Sequence, residues 1–413
     1  MRERLFNRNF TFLILGQACS LAGNYTLKFA LSMYVLERTG SAAVFAGLLA
    51  SAMVPTILLS PFGGILADRV DRKKIMVCLD ALSGVVILAA AFLLSAGNDI
   101  AVIGVLLLAL SVLGAFESPT VQACVPQMQT GDNVVKGNAV VNQVAAVAAL
   151  VTPFLGSAFY TAFGIHAVLY AAVLCFFLTA LLECFIRLEW KKRSEKQRIR
   201  EVVREDVGVS MRFLFREEPG IAKLLLLAAL VSLFAVGTMT VGFPYLVRTV
   251  LGLSAEHYGA AESALGASAI LGSLAVGLLA DRWRMGKMYL PLLAFGLCLL
   301  PAGGVFLLSW SPLGKYVVLV LAFCGGQAAC TIFSVFALSA IQGRTPLHLM
   351  GKVMAYVSVL SMCAQPLGQM IYGLLFDALA DQVCWVLLSA GGLVCAIALL
   401  AVPFFKRLEG ERD

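Results

Sequence analysis

From Phe10 to Phe405 the chain is a succession of apolar runs, each close to the roughly 20 residues that a helix needs to cross the hydrocarbon core of a bilayer. Short charged or turn-forming stretches separate them. The runs fall at approximately 10–36, 42–67, 74–96, 100–126, 138–163, 166–188, 220–247, 256–281, 288–310, 315–341, 352–378 and 383–405, which predicts an all-α polytopic membrane protein with twelve transmembrane helices. A membrane β-barrel needs segments of about ten residues with alternating polarity, and the sequence has no such pattern. Composition agrees: 60% of the 413 residues are hydrophobic before the 37 glycines are counted. Charged residues make up 13%, about half the roughly 25% of soluble domains. A water-soluble fold is excluded, and too little chain lies outside the runs for a large soluble domain. Met1–Asn9 leads into the first run without a small-residue cleavage site, so that run is expected to stay as a span.

Charge sets the expected orientation. Of the 31 lysines and arginines, only Arg38, Arg248 and Lys315 fall on one set of loops, and Lys28 lies inside a span. The rest lie in the tails and the other loops, which by the positive-inside rule places both termini in the cytoplasm of a multi-pass plasma-membrane protein; the membrane is expected to be bacterial. The net charge of +7 therefore reflects topology and implies no nucleic-acid partner. The 11 cysteines form no C-x-x-C pair and the 3 histidines are scattered, so no metal site, disulfide framework or catalytic triad is expected. Gly286-Lys287, Gly314-Lys315 and Gly351-Lys352 are followed by Met, Tyr and Val rather than Ser or Thr, so no phosphate-binding loop is present and no cofactor is implied.

An internal repeat organises the chain. Gly64-Ile-Leu-Ala-Asp68-Arg69, after the second span, returns as Gly277-Leu-Leu-Ala-Asp281-Arg282 after the eighth. This predicts two pseudo-symmetric bundles of six helices, 1–188 and 220–413, joined by a cytoplasmic linker over 189–219. Two parallel halves of this kind suggest a rocking transporter with its pathway where they meet. In the linker, Ile199, Val202, Val203, Val207, Met211 and Leu214 recur at helical spacing among Arg200, Arg204, Glu205 and Arg212. That pattern fits an amphipathic helix in the membrane interface, or else a solvated charged linker.

The segment from Gly64 through Asp68, Arg69, Asp71 and Arg72 to Lys74 resembles the signature between the second and third helices of the major facilitator superfamily. Asp71 departs from it, standing where the general signature carries glycine. The resemblance implies a cytoplasmic gate made by Gly64, Asp68, Arg69 and Arg72 with the copies Gly277, Asp281 and Arg282, in which Asp68 faces the positive N-terminus of the eleventh span. The alternative is that the basic residues serve only as topology anchors. Finer resemblance points to the bacterial branch of macrolide-efflux and enterobactin-exporter proteins. It is carried by Thr39-Gly40-Ser41, Pro119 through Pro126, Gly137-Asn138-Ala139, Arg212 through Arg216 and Leu251 through Ser254. Thr152 through Ser157 matches the antiporter glycine-proline motif only in part, Asn24 stands where relatives often carry an acid, and the fourth span lacks the arginine of drug antiporters.

Ionisable groups deep in spans are costly and are functional candidates. Lys28 in the first span and Glu117 in the fourth stand out, separated in depth by about 12 Å at 1.5 Å per residue. A direct ion pair is therefore not expected. Apolar surroundings disfavour the charged form, which makes Glu117 the candidate proton-coupling group and Lys28 a group that attracts anionic substrates or tunes the site. The competing view is a structural polar pair satisfied by helix carbonyls and the backbone freed by Pro119. By resemblance, the first, fourth, seventh and tenth spans line the central cavity. Gln327, Gln365 and Gln369, among Phe, Met and Leu, would suit an amphipathic substrate. Tyr25, Met33, Phe243, Tyr245, Phe333 and Phe336 are equally explained as pocket or packing residues. Asn138, Asn142 and Gln143 are read as interhelical glue. Asp80, Glu183, Glu262 and Asp377 are read as interfacial or bound to loop basics.

The expected function is secondary active, proton-coupled export of amphipathic small molecules, drug-like compounds or siderophore-type metabolites, by a monomer working through alternating access. Export rather than import rests on the resemblance. A lipid or lysophospholipid transporter of the same fold is the alternative, and a membrane-embedded enzyme or sensor a remote one; the protein is not expected to be an enzyme.

Overall fold

The computed structural model describes residues 5–94, 97–129, 133–188, 218–279, 285–346 and 350–410. The linker pattern at 199–214 and the gate copies Asp281 and Arg282 lie outside the described residues.

Local chemistry sets the helix ends. Helix α1 (Arg8–Thr39) starts at Asn7, whose side chain accepts the Phe10 N–H, and stops at Gly40, which takes the left-handed conformation at φ 62°. Helix α2 (Ala42–Arg69) follows, and α3 (Arg72–Leu93) is capped by the Asp71 carboxylate, which accepts the Lys73 N–H. Helix α4 (Asp99–Met128) carries Pro119 and Pro126 within it. The next segment, Asn133–Cys184, is 52 residues long. As one helix it would measure about 78 Å, far more than a bilayer. Gly164, at φ 75°, breaks it into α5 (133–163) and α6 (165–184).

Helix α7 (Pro219–Val250) is wound wide, with π-helical turns at Val236–Gly242 and Leu246–Val250 on either side of Pro244. Helices α8 (Ala255–Leu279), α9 (Tyr289–Gly304), α10 (Pro312–Arg344), α11 (Met350–Ala378), α12 (Val383–Leu400) and the short α13 (Val402–Gly410) complete the chain. No strand occurs among the described residues.

Among the described residues, ten stretches are long and apolar enough to cross a membrane, and one of these contains both α5 and α6. The 32-residue α1 is long enough but is not among the ten. Asn24 and Lys28 contribute to its lower hydropathy. Exposure is reversed from that of a soluble protein: Leu278 is 84% exposed, Leu400 80% and Phe92 75%, while Asp80, Glu183 and Thr238 are buried. Trp310 and Trp385, at the starts of α10 and α12, are exposed where interfacial aromatic residues anchor a helix in a bilayer. The chain is an all-α multi-pass membrane protein.

Contacts divide it into two units. The first comprises 1–40, 48–194 and 254–263, and the second 41–47, 195–253 and 264–413. Lipid offers no hydrophobic drive between helices, so close packing rests on small residues. In the first unit, Gly23 of α1 lies against Cys175 and Ala172 of α6, Gly84 of α3 against Phe177 of α6, and Gly63 of α2 against Ala115 of α4. The second unit repeats the scheme. Gly368 of α11 meets the Leu233 carbonyl of α7, Gly391 of α12 meets the Gly296 carbonyl of α9, and Gly272 of α8 meets Ala328 of α10. The α2–α4 contact thus returns as α8–α10, in step with the sequence repeat.

Candidate functional site

Ser20 on the inner face of α1 organises the polar interior of the first unit. Its hydroxyl lies 3.4 Å from Asp80 Oδ1 on α3 and 3.4 Å from Glu117 Oε1 on α4. Asp80 is fully buried, and Glu183 of α6, 1% exposed, comes within hydrogen-bonding reach of it. The structure corrects the sequence reading of Asp80 and Glu183 as interfacial or bound to loop basics: both are buried. A signal was present: Asp80 falls on the buried stripe Met76, Ser83, Gly84 and Ile87 of α3, at helical spacing.

Glu117 is partly accessible and Lys28 is open along its side chain. The two interact electrostatically without forming an ion pair within 4 Å, so the expected absence of a direct bridge coexists with mutual influence. On α1, Asn24 keeps a buried Oδ1 without a hydrogen-bond partner. In the second unit Gln369 of α11 is 4% exposed and its Oε1 likewise has no partner. Gln365 of α11 and Gln327 of α10 are partly buried. A partnerless buried amide oxygen is costly, and each leaves an acceptor unused.

The residues expected to form a gate are placed only in part. Gly64 and Asp68 sit in the last turns of α2, and Arg69 is its exposed last residue. Arg72 donates to the Ala67 carbonyl of α2 at 2.8 Å and the Ala123 carbonyl of α4 at 2.7 Å, tying three helix ends together. Lys73 donates to the Cys184 carbonyl at 2.7 Å. Gly277 is exposed with nothing near the position of a Cβ, so close packing does not explain that member of the repeat.

Several other expectations change. Asn138, Asn142 and Gln143 are exposed rather than buried as interhelical glue. Asp377, at the end of α11, caps α2: it accepts from the Ser41 hydroxyl at 2.5 Å and from the Ala42 and Ala43 N–H groups at 2.7 and 3.1 Å. Glu262 of α8 bonds the buried Tyr258, which stacks on Phe29 of α1 at 5.4 Å. Among the described residues no loop basic residue pairs with either acid. Met33, Phe243, Tyr245 and Phe333 are packing residues, buried to 3% exposure or less. In the last turn of α1, Arg38 bonds Asp99 at 2.8 Å, an ion pair the sequence alone did not indicate.

Two hollows open on the first unit. One, of about 410 Å³, runs between α1 and α5, with Ala18, Ala22, Val147 and Val151 as walls and Gln143 and Thr152 as polar points. The other, of about 510 Å³, is lined by Thr26, Leu155, Phe159 and Phe163. Among the described residues no cluster of His, Cys, Asp or Glu could hold a metal ion.

Comparison with known proteins agrees with this picture. Macrolide efflux protein A of Streptococcus pyogenes is 24% identical over 93% of this chain and 93% of its own length. The multidrug efflux pump Tap of Mycobacterium bovis is 23% identical over 98% of this chain and 96% of its own. Among solved structures, the nucleoside transporter NupG superposes with a TM-score of 0.74 at 11% identity, covering 98% of this chain and 99% of that one. A bacterial homologue of the iron transporter ferroportin, in an inward-facing state, reaches 0.72 at 17% identity, covering 97% and 98%. These likenesses show a transporter fold. The Major Facilitator Superfamily model matches residues 13–368, and the chain belongs to that superfamily of membrane transporters.

Proposed function

We propose that this protein is a proton-coupled exporter of amphipathic small molecules in a bacterial cell membrane, working as a monomer by alternating access with both termini in the cytoplasm. The carrying observation is the pair of ionisable groups placed in mid-helix on α1 and α4, Lys28 open and Glu117 partly so, in electrostatic contact without an ion pair. A charge held at such depth without its bridge is expensive. Its use is to change: Glu117 takes a proton from outside and releases it inside, and Lys28 faces a neutral or a charged neighbour accordingly. That alternation biases which occupant, proton or substrate, the site holds.

The names of the relatives, macrolide and multidrug efflux proteins, support export and a bulky, drug-like substrate. So do the apolar hollow between α1 and α5 with its two polar points, and the acceptor oxygens of Asn24 and Gln369. Apolar walls hold bulk and a few polar groups orient it. The gate assigned to Gly64, Asp68, Arg69, Arg72, Gly277, Asp281 and Arg282 belongs to the same reading.

The test uses purified protein in liposomes with a macrolide as probe. Glu117→Gln is expected to abolish uptake driven by a pH gradient while keeping counterflow exchange of labelled macrolide. Retention of full pH-gradient dependence by this variant would overturn the coupling role. In cells lacking their own pumps, an uncoupler should raise macrolide accumulation in those expressing the wild type to the level of pump-free cells.

A further inference from the structure

Three carboxyl groups and one hydroxyl, from four different helices, lie together in the interior of the first unit. Glu183 belongs to α6, Asp80 to α3, Ser20 to α1 and Glu117 to α4. Asp80 Oδ2 and Glu183 Oε2 are buried and meet no donor. The two carboxyls nonetheless lie within hydrogen-bonding reach of each other. Two carboxylate oxygens can share a hydrogen bond only if one of them carries a proton, and two like charges this close in a low-dielectric interior cannot both persist. The other carboxylate oxygen of Asp80 faces the Ser20 hydroxyl, and that hydroxyl faces Glu117.

The charged groups around this cluster do not neutralise it. Lys28 of α1 stands beyond Glu117, in electrostatic contact with it alone among the three acids. Arg72 and Lys73, in the first turn of α3, direct donors to the Ala67, Ala123 and Cys184 carbonyls. The Asp71 carboxylate caps α3. Among the described residues no cation forms an ion pair within 4 Å with Asp80, Glu183 or Glu117. Such an arrangement has little merit as an ion-pair network and no geometry for a metal. What it can hold is a proton.

We propose that Asp80 and Glu183 form a proton-storage pair, linked through Ser20 to Glu117 as an internal proton relay of the first unit. The proton moves by a hydroxyl exchange. Protonated Glu117 gives its proton to Ser20 Oγ as the Ser20 proton passes to Asp80 Oδ1. Glu117 is left as carboxylate, Asp80 as carboxylic acid and Ser20 unchanged. From Asp80 the proton is shared with Glu183, close to the end of α6 where Lys73 meets the Cys184 carbonyl, and it leaves there. Serine is suited to this because its hydroxyl donates and accepts at once. The route gives Glu117 an exit for its proton through α3 and α6, and in that sense it rests on the coupling role proposed above for Glu117.

Infrared difference spectroscopy of the reconstituted protein, with a pH jump, tests the storage pair independently of transport. The wild type should show a broad shared-proton carboxyl absorption that is lost in Asp80→Asn and in Glu183→Gln and persists in Glu117→Gln. Persistence in Asp80→Asn and Glu183→Gln would overturn the pair even if Glu117 proves to be the coupling group. Conversely, its presence in Glu117→Gln, together with unaltered pH-gradient dependence there, would leave the pair standing while the coupling role of Glu117 fails.

The link is read from proton flux, followed by a dye trapped in the liposomes. Ser20→Ala should slow it about tenfold, the loss expected for a hydrogen bond to a charged group. Ser20→Thr, which keeps the hydroxyl, should restore it. Counterflow of labelled macrolide, which moves no net protons, should be unchanged in both variants and serves as the folding control. Wild-type proton flux in Ser20→Ala would overturn the relay.

Discussion

Gly63 marks where α2 crosses α4, since a Cβ there would overlap the Ala115 carbonyl and lie 3.1 Å from the Phe116 Cα. Both obstacles are backbone and cannot swing aside. Gly63→Ala is therefore expected to destabilise the protein by about 1–3 kcal/mol. Gly277→Ala, where nothing lies within 4 Å, should leave stability unchanged or slightly raised. Thermal unfolding of the two variants in the same detergent checks the contrast. The repeat draws attention to Gly64 and Gly277 through their spacing, yet spacing carries no information about what a glycine faces. Lys28 and Glu117, by contrast, were legible as candidates, because a charge within a long apolar run is anomalous in any fold. Glu183 was not, since its nearness to a run end in sequence concealed its burial, and Asp80 was legible only through the helical spacing it shares with Met76, Ser83, Gly84 and Ile87.

Helix α2 begins against a partner more than three hundred positions away. Asp377 meets its first turn with one hydroxyl and two backbone donors, so a full negative charge sits at the positive end of the helix. Asp377→Asn keeps an acceptor and loses the charge, and should cost about 1 kcal/mol; Asp377→Ala loses both and should cost about 2 kcal/mol. Hydrogen exchange at the Ala42 and Ala43 amides should quicken in the same order. Gly164→Ala forces a side chain into the left-handed region at the α5–α6 break and should cost about 1–2 kcal/mol, read as a lower unfolding temperature. The break itself was visible in sequence, because a 52-residue apolar stretch must turn somewhere and a glycine stands near its middle. The cap by Asp377 was not visible, because nothing near Ser41 in the chain names its partner.

Each unit includes the opening turns of a helix that continues in the other: 255–263 of α8 belong to the first and 42–47 of α2 to the second. In the first unit Gly259 of α8 is pressed against Ser157 and the Pro153 carbonyl of α5, and in the second Gly373 of α11 against Ala46 and the Ala42 carbonyl of α2. The two contacts are copies of one another, as the repeat requires. Gly259→Leu and Gly373→Leu cannot keep these contacts, and each should lower macrolide transport more than it lowers the yield of folded protein in size-exclusion chromatography. The orientation proposed from the basic loops has its own check. In a background without the native cysteines, Ser311→Cys should react with an impermeant maleimide added to intact cells, and Glu409→Cys only after the membrane is opened.

The amino-acid sequence by itself determined that the chain is helical, that it crosses a membrane repeatedly, that its two halves are related, and roughly where each helix starts and stops. These follow from local composition, because a bilayer tests each segment separately and admits only those that satisfy their own backbone and bury few charges. Only the tertiary structure decided that Asp80, Glu183, Ser20 and Glu117 share one interior, that Asp377 caps α2, and that Gly63 rather than Gly277 is held by packing. Those outcomes depend on which faces of distant helices meet, and the free energy of a buried polar group is set by its neighbours in space, not by its neighbours in the chain.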